Sequence, residues 1–409
     1  MVDRGQPVLG LPVRVGLYAL MLSCAGIPLY LHLPRYVALQ FDVSLAMLGG
    51  VLIALRLLDA VQDPLWGRLV DRFARHGAVL AALAAGAMAV GFAGLFLAAP
   101  EGAGLWWLIP SLVLIFSGFS LGSVLFYSRS DILSAQAGGS LLRLASWREL
   151  GGLIGVLLAA MAPDLLGGFA GFGWLLLVVV AMAAIAAHPL WRFAPGGGDV
   201  PFDWQQLRSN RAVFRLLLLA FVNALPMAFT ANLFVFFVED GLGLADQSGL
   251  LLVLYFIASA AFVPVWRAVA ARFGARRALI AAMLGSMISF IWAALLPIGA
   301  FWPFAAICVL SGAMLGAELV ILPALFAARL KGAGLAPGQG FGLWAFMGKL
   351  ALAMAAAIAL PALGLFGFQA GQPPSTDGRF ALVLFYAVLP CLLKGAAVGL
   401  VLMEQGDVE

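Results

Sequence analysis

The stretch that decides the fold is residues 56–75, which read RLLDAVQDPLWGRLVDRFAR. Its first half ends the apolar run 44–67, which is long enough to cross a bilayer as a helix. Arg56, Asp59 and Asp63 are spaced three and four residues apart, so they share one face of that helix. A charge inside a membrane-spanning helix costs about 2.5 kcal/mol or more and normally faces a protein interior or a watery cavity. These three side chains therefore predict a polar site inside the membrane.

The rest of the chain has the composition of a membrane protein. Of its 409 residues, 64% are hydrophobic and 10% are charged, against roughly 45–50% and about 25% in soluble domains. A soluble fold has too little interior to bury this much apolar surface, so the lipid bilayer is the expected surroundings. The net charge of +4 comes from basic residues in short gaps between apolar runs. This placement is typical of membrane topology and predicts no nucleic-acid partner.

Twelve segments are long and apolar enough to span a bilayer. They are residues 13–37, 44–67, 77–99, 105–128, 142–163, 169–191, 212–238, 247–268, 277–298, 303–327, 339–363 and 380–402. Lys and Arg concentrate in alternate gaps, and the other gaps carry mainly acidic residues. Because basic gaps mark the cytoplasmic side, we predict a multi-pass protein of the cell (inner) membrane with both termini in the cytoplasm. The cysteines and histidines have no metal-binding spacing, so no metal and no cofactor are expected.

The twelve segments form two halves that repeat each other. The pattern Pro-x-Trp at 64–66 recurs at 264–266, and Ser-Gly-x-x-Leu-Gly at 117–122 recurs at 311–316. Parallel repeats of this kind are the two-half architecture of major facilitator transporters. We therefore predict an all-α membrane protein of twelve transmembrane helices in two six-helix halves. Its parts are an N-terminal bundle at 1–191, a cytoplasmic linker at 192–211 and a C-terminal bundle at 212–409.

The second half of the opening stretch resembles a loop signature of the major facilitator superfamily, Gly-x-Leu-x-Asp-Arg-x-Gly-Arg. Gly67, Asp71 and Arg72 match it, as does Arg75, whereas Ala74 replaces the second glycine. In the superfamily this loop latches the halves together on the cytoplasmic side. The resemblance implies a gating role for Gly67, Asp71, Arg72 and Arg75. A plain basic loop would explain the arginines but not Gly67 or Asp71.

Within the superfamily, Asp59-x-x-x-Asp63-Pro followed by that loop resembles the glycoside–pentoside–hexuronide:cation symporters, typified by melibiose permease. Arg148 early in the fifth segment and Trp344-x4-Lys349 in the eleventh add to the resemblance. The resemblance implies that Asp59 and Asp63 bind the coupling cation and that Lys349 lies beside them. It also implies that Arg148 helps to hold the sugar.

Two acids that bind sugar in that family have no counterpart here. Residues 13–37 contain no Asp or Glu, and the fourth-segment acid falls near Ser123, with its aromatic neighbour near Tyr127. Two carboxylates one helical turn apart repel, so one of them binds Na+ or keeps a proton. Na+ and H+ both remain candidates for the coupling ion. The predicted cation ligands are Asp59, Asp63 and Ser123, and the predicted substrate-binding residues are Arg148, Lys349, Tyr127, Glu318 and Arg56.

We therefore predict a secondary active transporter, and not an enzyme. It would work by alternating access as a monomeric H+- or Na+-coupled symporter of a glycoside or other small organic solute. One alternative is a facilitator or exporter of lipid-like or amphipathic solutes, which suits the apolar first and fourth segments. A more distant alternative is an intramembrane Mg2+-dependent transferase, because Asp59-x-x-x-Asp63 loosely resembles its diphosphate-binding aspartates. Pro64 follows directly, however, and neither complete transferase motif is present.

Overall fold

The computed structural model describes residues 10–26, 33, 36–37, 40–41, 45–100, 102–192, 210–245, 247–369, 371–372 and 374–403. Within these ranges the regular structure is helical, with no β-strand. The α-helices are α1 Leu11–Ala25, α2 Leu45–Arg72, α3 Gly77–Phe96, α4 Leu105–Ser128, α5 Ser130–Gln136, α6 Leu141–Leu165, α7 Phe169–Ala187, α8 Arg211–Phe236, α9 Ser248–Phe273, α10 Ala275–Phe290, α11 Phe301–Gly332, α12 Pro337–Leu365, α13 Thr376–Val383 and α14 Leu389–Leu402. The predicted all-α class is confirmed.

Ten helical stretches of the described chain are long and apolar enough to cross a membrane. They coincide with the third to twelfth predicted segments, and two of them are completed by π-helical turns at Phe237–Gly241 and Leu384–Val388. The first two predicted segments overlap residues outside the described ranges. There the structure shows α1, of 15 residues, and α2, of 28 residues. The chain is therefore a multi-pass membrane protein.

Packing divides the chain into two compact units. The first unit comprises residues 1–202 and 336–342, and the second comprises residues 203–335 and 343–409. The core of the first unit is one apolar cluster built around α1, α3, α4 and α7. The core of the second includes Phe237 stacked on Tyr386 with ring centroids 4.0 Å apart. The linker predicted at 192–211 stays a prediction, because residues 193–209 lie outside the described ranges.

Glycines set the closest helix contacts in both units. A Cβ added to Gly118 on α4 would lie 2.6 Å from the carbonyl oxygen of Ala84 on α3. A Cβ added to Gly312 on α11 would collide with the carbonyl oxygen of Tyr255 on α9. Small residues allow such close backbone approach in membrane bundles. The glycine repeated in sequence therefore has the same packing role in each unit, although the helices it contacts are not equivalent.

Candidate functional site

A group of polar side chains lies inside the first unit, between α2 and α4. Asp59 and Asp63 on α2 are buried, with 5% and 0% of their surfaces exposed. The Asp59 carboxylate accepts a hydrogen bond from the Gln62 amide at 3.0 Å, and the Ser120 hydroxyl on α4 donates to Asp63. The Ser117 hydroxyl donates to the Gln62 side-chain oxygen at 3.0 Å. These five residues are called the carboxylate cluster below, and they join α2 to α4 through oxygen-rich contacts.

The local sequence explains why α2 presents these groups. Pro64 lies inside the helix and has no N–H, so it cannot bond the carbonyl one turn earlier. Gly342, in the first turns of α12, lies against α2, and an added Cβ would come within 2.6 Å of the Asp63 carbonyl oxygen. Gly67 is equally close, since its Cβ would lie 2.6 Å from the Gly338 carbonyl oxygen. The backbone beside Asp63 is therefore packed on both α4 and residues 336–342.

The predicted serine ligand is not the one in contact. Ser123 is half-buried and makes no side-chain hydrogen bond with the described residues, whereas Ser117 and Ser120 bond the carboxylate cluster. Serines at every third position of α4, 117, 120 and 123, are the sequence signal that points to this face. The oxygens of the cluster suit a proton or a hard cation such as Na+. Among the described residues no group of three or more His, Cys, Asp and Glu side chains could hold a metal ion.

A second polar group of the first unit is centred on Arg148 of α6, which is 4% exposed. Its Nε donates to Glu149 at 3.0 Å, and its Nη1 donates to the Ser130 hydroxyl at 3.2 Å. The guanidinium carbon lies 3.9 Å from the centroid of the Tyr127 ring, and the Tyr127 hydroxyl donates to Glu149 at 3.3 Å. Nη2 of Arg148 is buried without a hydrogen-bond partner in the described chain. These four residues are called the arginine cluster below.

The arginine cluster brings together two residues that the sequence assigned to the solute, Arg148 and Tyr127. Glu149 and Ser130 were not in the predicted site. Glu149 neutralises Arg148, so the cluster carries no net charge, and a buried N–H without a partner is costly. Nη2 carries two N–H groups, so the cluster can donate hydrogen bonds to an uncharged acceptor.

The second unit has its own buried polar group on α8, α11 and α14. The Lys394 ammonium donates to both Glu318 carboxylate oxygens, at 2.9 and 2.8 Å, and to Asn223 at 2.9 Å. Asn223 also donates to Glu318 at 2.8 Å, and all three residues are at most 8% exposed. The predicted role of Glu318 in substrate binding stays a prediction. Its carboxylate is engaged by Lys394 and Asn223.

Two further residues, Lys349 and Arg56, were predicted to bind the substrate. Lys349 is half-buried on α12 and belongs to the second unit. The side chain of Arg56 lies outside the described part of the structure, although its backbone is part of α2.

The loop signature contains a helix cap. The Asp71 carboxylate accepts hydrogen bonds from the backbone N–H groups of Gly338 at 2.8 Å and Gln339 at 2.7 Å. These N–H groups belong to the first turn of α12, where they lack partners within the helix. Asp71 lies beyond the predicted span 44–67, and burial raises its pKa to about 6, although the two backbone hydrogen bonds act to lower it. Arg72 and Arg75 are exposed.

The whole chain is similar to known transporters. Residues 13–404 match the family model described as MFS/sugar transport protein, and no curated protein matches the sequence. A bacterial homologue of the iron transporter ferroportin, in an outward-facing state, superposes with a TM-score of 0.68 at 16% identity, covering 97% of this chain and 99% of that chain.

Two further solved structures share the fold. The nucleoside transporter NupG gives a TM-score of 0.57 at 14% identity, covering 96% of this chain and 99% of that one. The human organic anion transporter MFSD10 gives a TM-score of 0.66 at 19% identity, covering 95% of this chain and 100% of that one. The fold and the family match agree, and the chain therefore belongs to the MFS/sugar transport proteins of the major facilitator superfamily.

Proposed function

We propose that this transporter is a cation-coupled symporter of a small organic solute and that Asp59 and Asp63 bind the coupling cation. The observation that carries the proposal is the complete burial of Asp63 in α2, one turn from a second buried carboxylate. Two buried negative charges one helical turn apart repel each other, and binding of one H+ or Na+ relieves that repulsion. Ionisable residues at such positions in membrane proteins commonly mark ion pathways.

The helix α4 offers a physical route for coupling. Ser120 of α4 bonds Asp63, and Tyr127, seven residues later, carries the ring beneath Arg148. At 1.5 Å per residue, these two positions lie about 10 Å apart along one helix. A cation on Asp63 would compete with the Ser120 hydroxyl, and the resulting shift of α4 would alter the position of Tyr127. Ion binding and the arginine cluster would then influence each other by linkage.

We propose a glycoside as the solute, on two grounds. The cation-side motif resembles that of the glycoside–pentoside–hexuronide:cation symporters, and the arginine cluster offers an N–H donor in a neutral setting, which suits an uncharged hydroxyl or ether oxygen. Lys349, Glu318 and Arg56 remain proposed solute contacts. Asp71, with Gly67, Arg72 and Arg75, remains the proposed gate. We also propose that the protein is a monomer in the inner membrane, with both termini in the cytoplasm.

Thermal unfolding of the purified protein tests the proposal. The probes are melibiose, raffinose, methyl β-galactoside and methyl β-glucuronide, in NaCl and KCl buffers at several pH values. A ligand that binds only the folded state raises its stability by mass action. We expect one glycoside to raise Tm, more strongly in NaCl or at lower pH.

A pair of matched variants separates the cation site from a general charge effect. Asp63→Asn should abolish the ion-dependent part of the stabilisation, whereas Asp377→Asn, at an exposed carboxylate, should keep it. If neither a glycoside nor a cation changes Tm, the symporter proposal is overturned, and a lipid-like or amphipathic solute becomes the better proposal.

A further inference from the structure

An apolar groove of about 550 Å³ lies between α10 and α11 in the second unit. Its walls include Ile288, Trp292 and Leu310, which are 67%, 59% and 50% exposed. These residues lie on membrane-spanning stretches, so we expect their exposed surfaces to face lipid. The volume falls within the roughly 300–1,000 Å³ of small-molecule sites.

The groove accepts only an apolar occupant. Its polar side-chain groups are the indole N–H of Trp292 and the hydroxyl of Ser289, which already donates to the Gly285 carbonyl oxygen at 2.8 Å. Met314 packs over Gly285, where an added Cβ would lie 2.8 Å from the sulfur atom. The inner wall of the groove is therefore formed in part by the Met314 side chain, whose flexible thioether can adapt its shape to an apolar ligand.

A basic side chain, that of Arg379, lies at one end of the groove. The Arg379 guanidinium on α13 donates to the carbonyl oxygen of Leu296, a residue of the groove wall, at 3.2 Å. Arg379 is half-buried, and within the described residues it makes no ion pair. One hydrogen bond leaves most of its five N–H donors available. Guanidinium groups bind phosphate oxygens through paired, charge-assisted hydrogen bonds.

We propose that this groove binds one acyl chain of an anionic phospholipid, with the lipid phosphate on Arg379. An apolar groove that ends at a basic side chain matches an amphiphile with a long acyl chain and a negatively charged headgroup. The bilayer supplies such molecules. Trp292 adds an amphipathic ring, a side chain that is typical of the level of the lipid headgroups. The site shares no residue with the carboxylate and arginine clusters, so the inference does not depend on the proposed symport.

Native mass spectrometry of the full-length protein in detergent tests the site. The probes are phosphatidylglycerol, phosphatidylethanolamine and phosphatidylcholine with identical acyl chains, added one at a time. We expect phosphatidylglycerol to bind most tightly, because the ammonium groups of the other two lipids offset the negative charge of the phosphate. Arg379→Gln should weaken its binding about tenfold, which corresponds to the loss of one charge-assisted contact. Arg277→Gln, at an exposed arginine near the opposite end of α10, should leave it unchanged.

A second variant tests the acyl-chain part. Leu310→Trp fills the groove from an exposed position and should weaken all three lipids alike. Equal affinity of the wild type for the three lipids would overturn the headgroup assignment, as would undiminished phosphatidylglycerol binding by Arg379→Gln. Unchanged binding by Leu310→Trp would overturn the groove as the acyl site. Tm of each variant without added lipid verifies that it is folded.

Discussion

Arg148 is held by three kinds of contact at once: an ion pair with Glu149, a hydrogen bond to Ser130 and the face of the Tyr127 ring. Only a planar fork of donors can satisfy all three, because the ammonium of lysine is a compact point charge. These contacts fix the orientation of the side chain, while its Nη2 has no hydrogen-bond partner in the described chain.

Arg148→Lys should weaken glycoside binding about tenfold or more without unfolding the protein. The substitution keeps the charge that Glu149 needs, but it loses the stacked cation–π contact and a hydrogen bond, each worth about 1 kcal/mol. The measurement is a titration of Tm with the most stabilising glycoside. Arg143→Lys, at an exposed position of the same helix, is the control, and equal weakening in both variants would contradict the assignment.

Asp71 should give the protein a pH-dependent stability. Its pKa is raised from 3.8 to about 6 by burial, so the native state holds the proton more tightly than the unfolded chain. Its contribution to stability is therefore fully present below about pH 4 and is lost as the pH rises through about 6. We expect Tm of the wild type to fall over this range more than Tm of Asp71→Asn. A difference between the two that does not vary with pH would refute this.

At the scale of helices, hydrogen bonds among Glu318, Lys394 and Asn223 join α8, α11 and α14 of the second unit. Lys394→Met should destabilise the protein by about 3–5 kcal/mol, because it leaves a buried carboxylate without its counter-charge. The double variant Glu318→Gln with Lys394→Met should recover most of the loss, since no charge is then buried. Thermal or denaturant unfolding measures both. A double variant as unstable as the single one would show that the pair does more than balance charge.

The contact between α3 and α4 depends on Gly118. Gly118→Ala should destabilise the protein by about 1–3 kcal/mol, because the new methyl group would meet the Ala84 carbonyl oxygen and force the helices apart. Gly86→Ala on α3 is the matched control, because nothing lies within 4 Å of the added Cβ; it should be neutral or stabilising by up to about 1 kcal/mol. Comparable losses of Tm in both variants would contradict the close contact.

At the scale of the whole molecule, the helices could be predicted because apolar length is a strong signal in a bilayer protein. The segment predicted at 303–327 is α11, Phe301–Gly332, and that predicted at 339–363 is α12, Pro337–Leu365. The charges of α2 were equally visible, since helical periodicity alone places Asp59 and Asp63 on one face. The superfamily followed from the loop signature and the repeat.

The partners of these side chains could not be predicted, because they depend on how distant helices pack. Ser120 lies 57 residues from Asp63 in the chain, and Lys394 lies 171 residues from Asn223. The sequence indicated Ser123, one turn along α4 from the serine that bonds Asp63. The rotation of α4 about its own axis decides between the two, and contacts such as that of Gly118 with Ala84 on α3 help to fix it.

The role of Asp63 as a cation ligand is tested most directly by comparing uphill accumulation with exchange in proteoliposomes. The solute is the glycoside that stabilises the wild type most, driven by a Na+ or pH gradient. Asparagine keeps the size of aspartate and an oxygen that can accept from Ser120, but it has no negative charge for a cation. We predict that Asp63→Asn loses accumulation against the gradient and keeps exchange, while Asp377→Asn behaves as the wild type. Wild-type accumulation by Asp63→Asn would contradict cation binding at this residue.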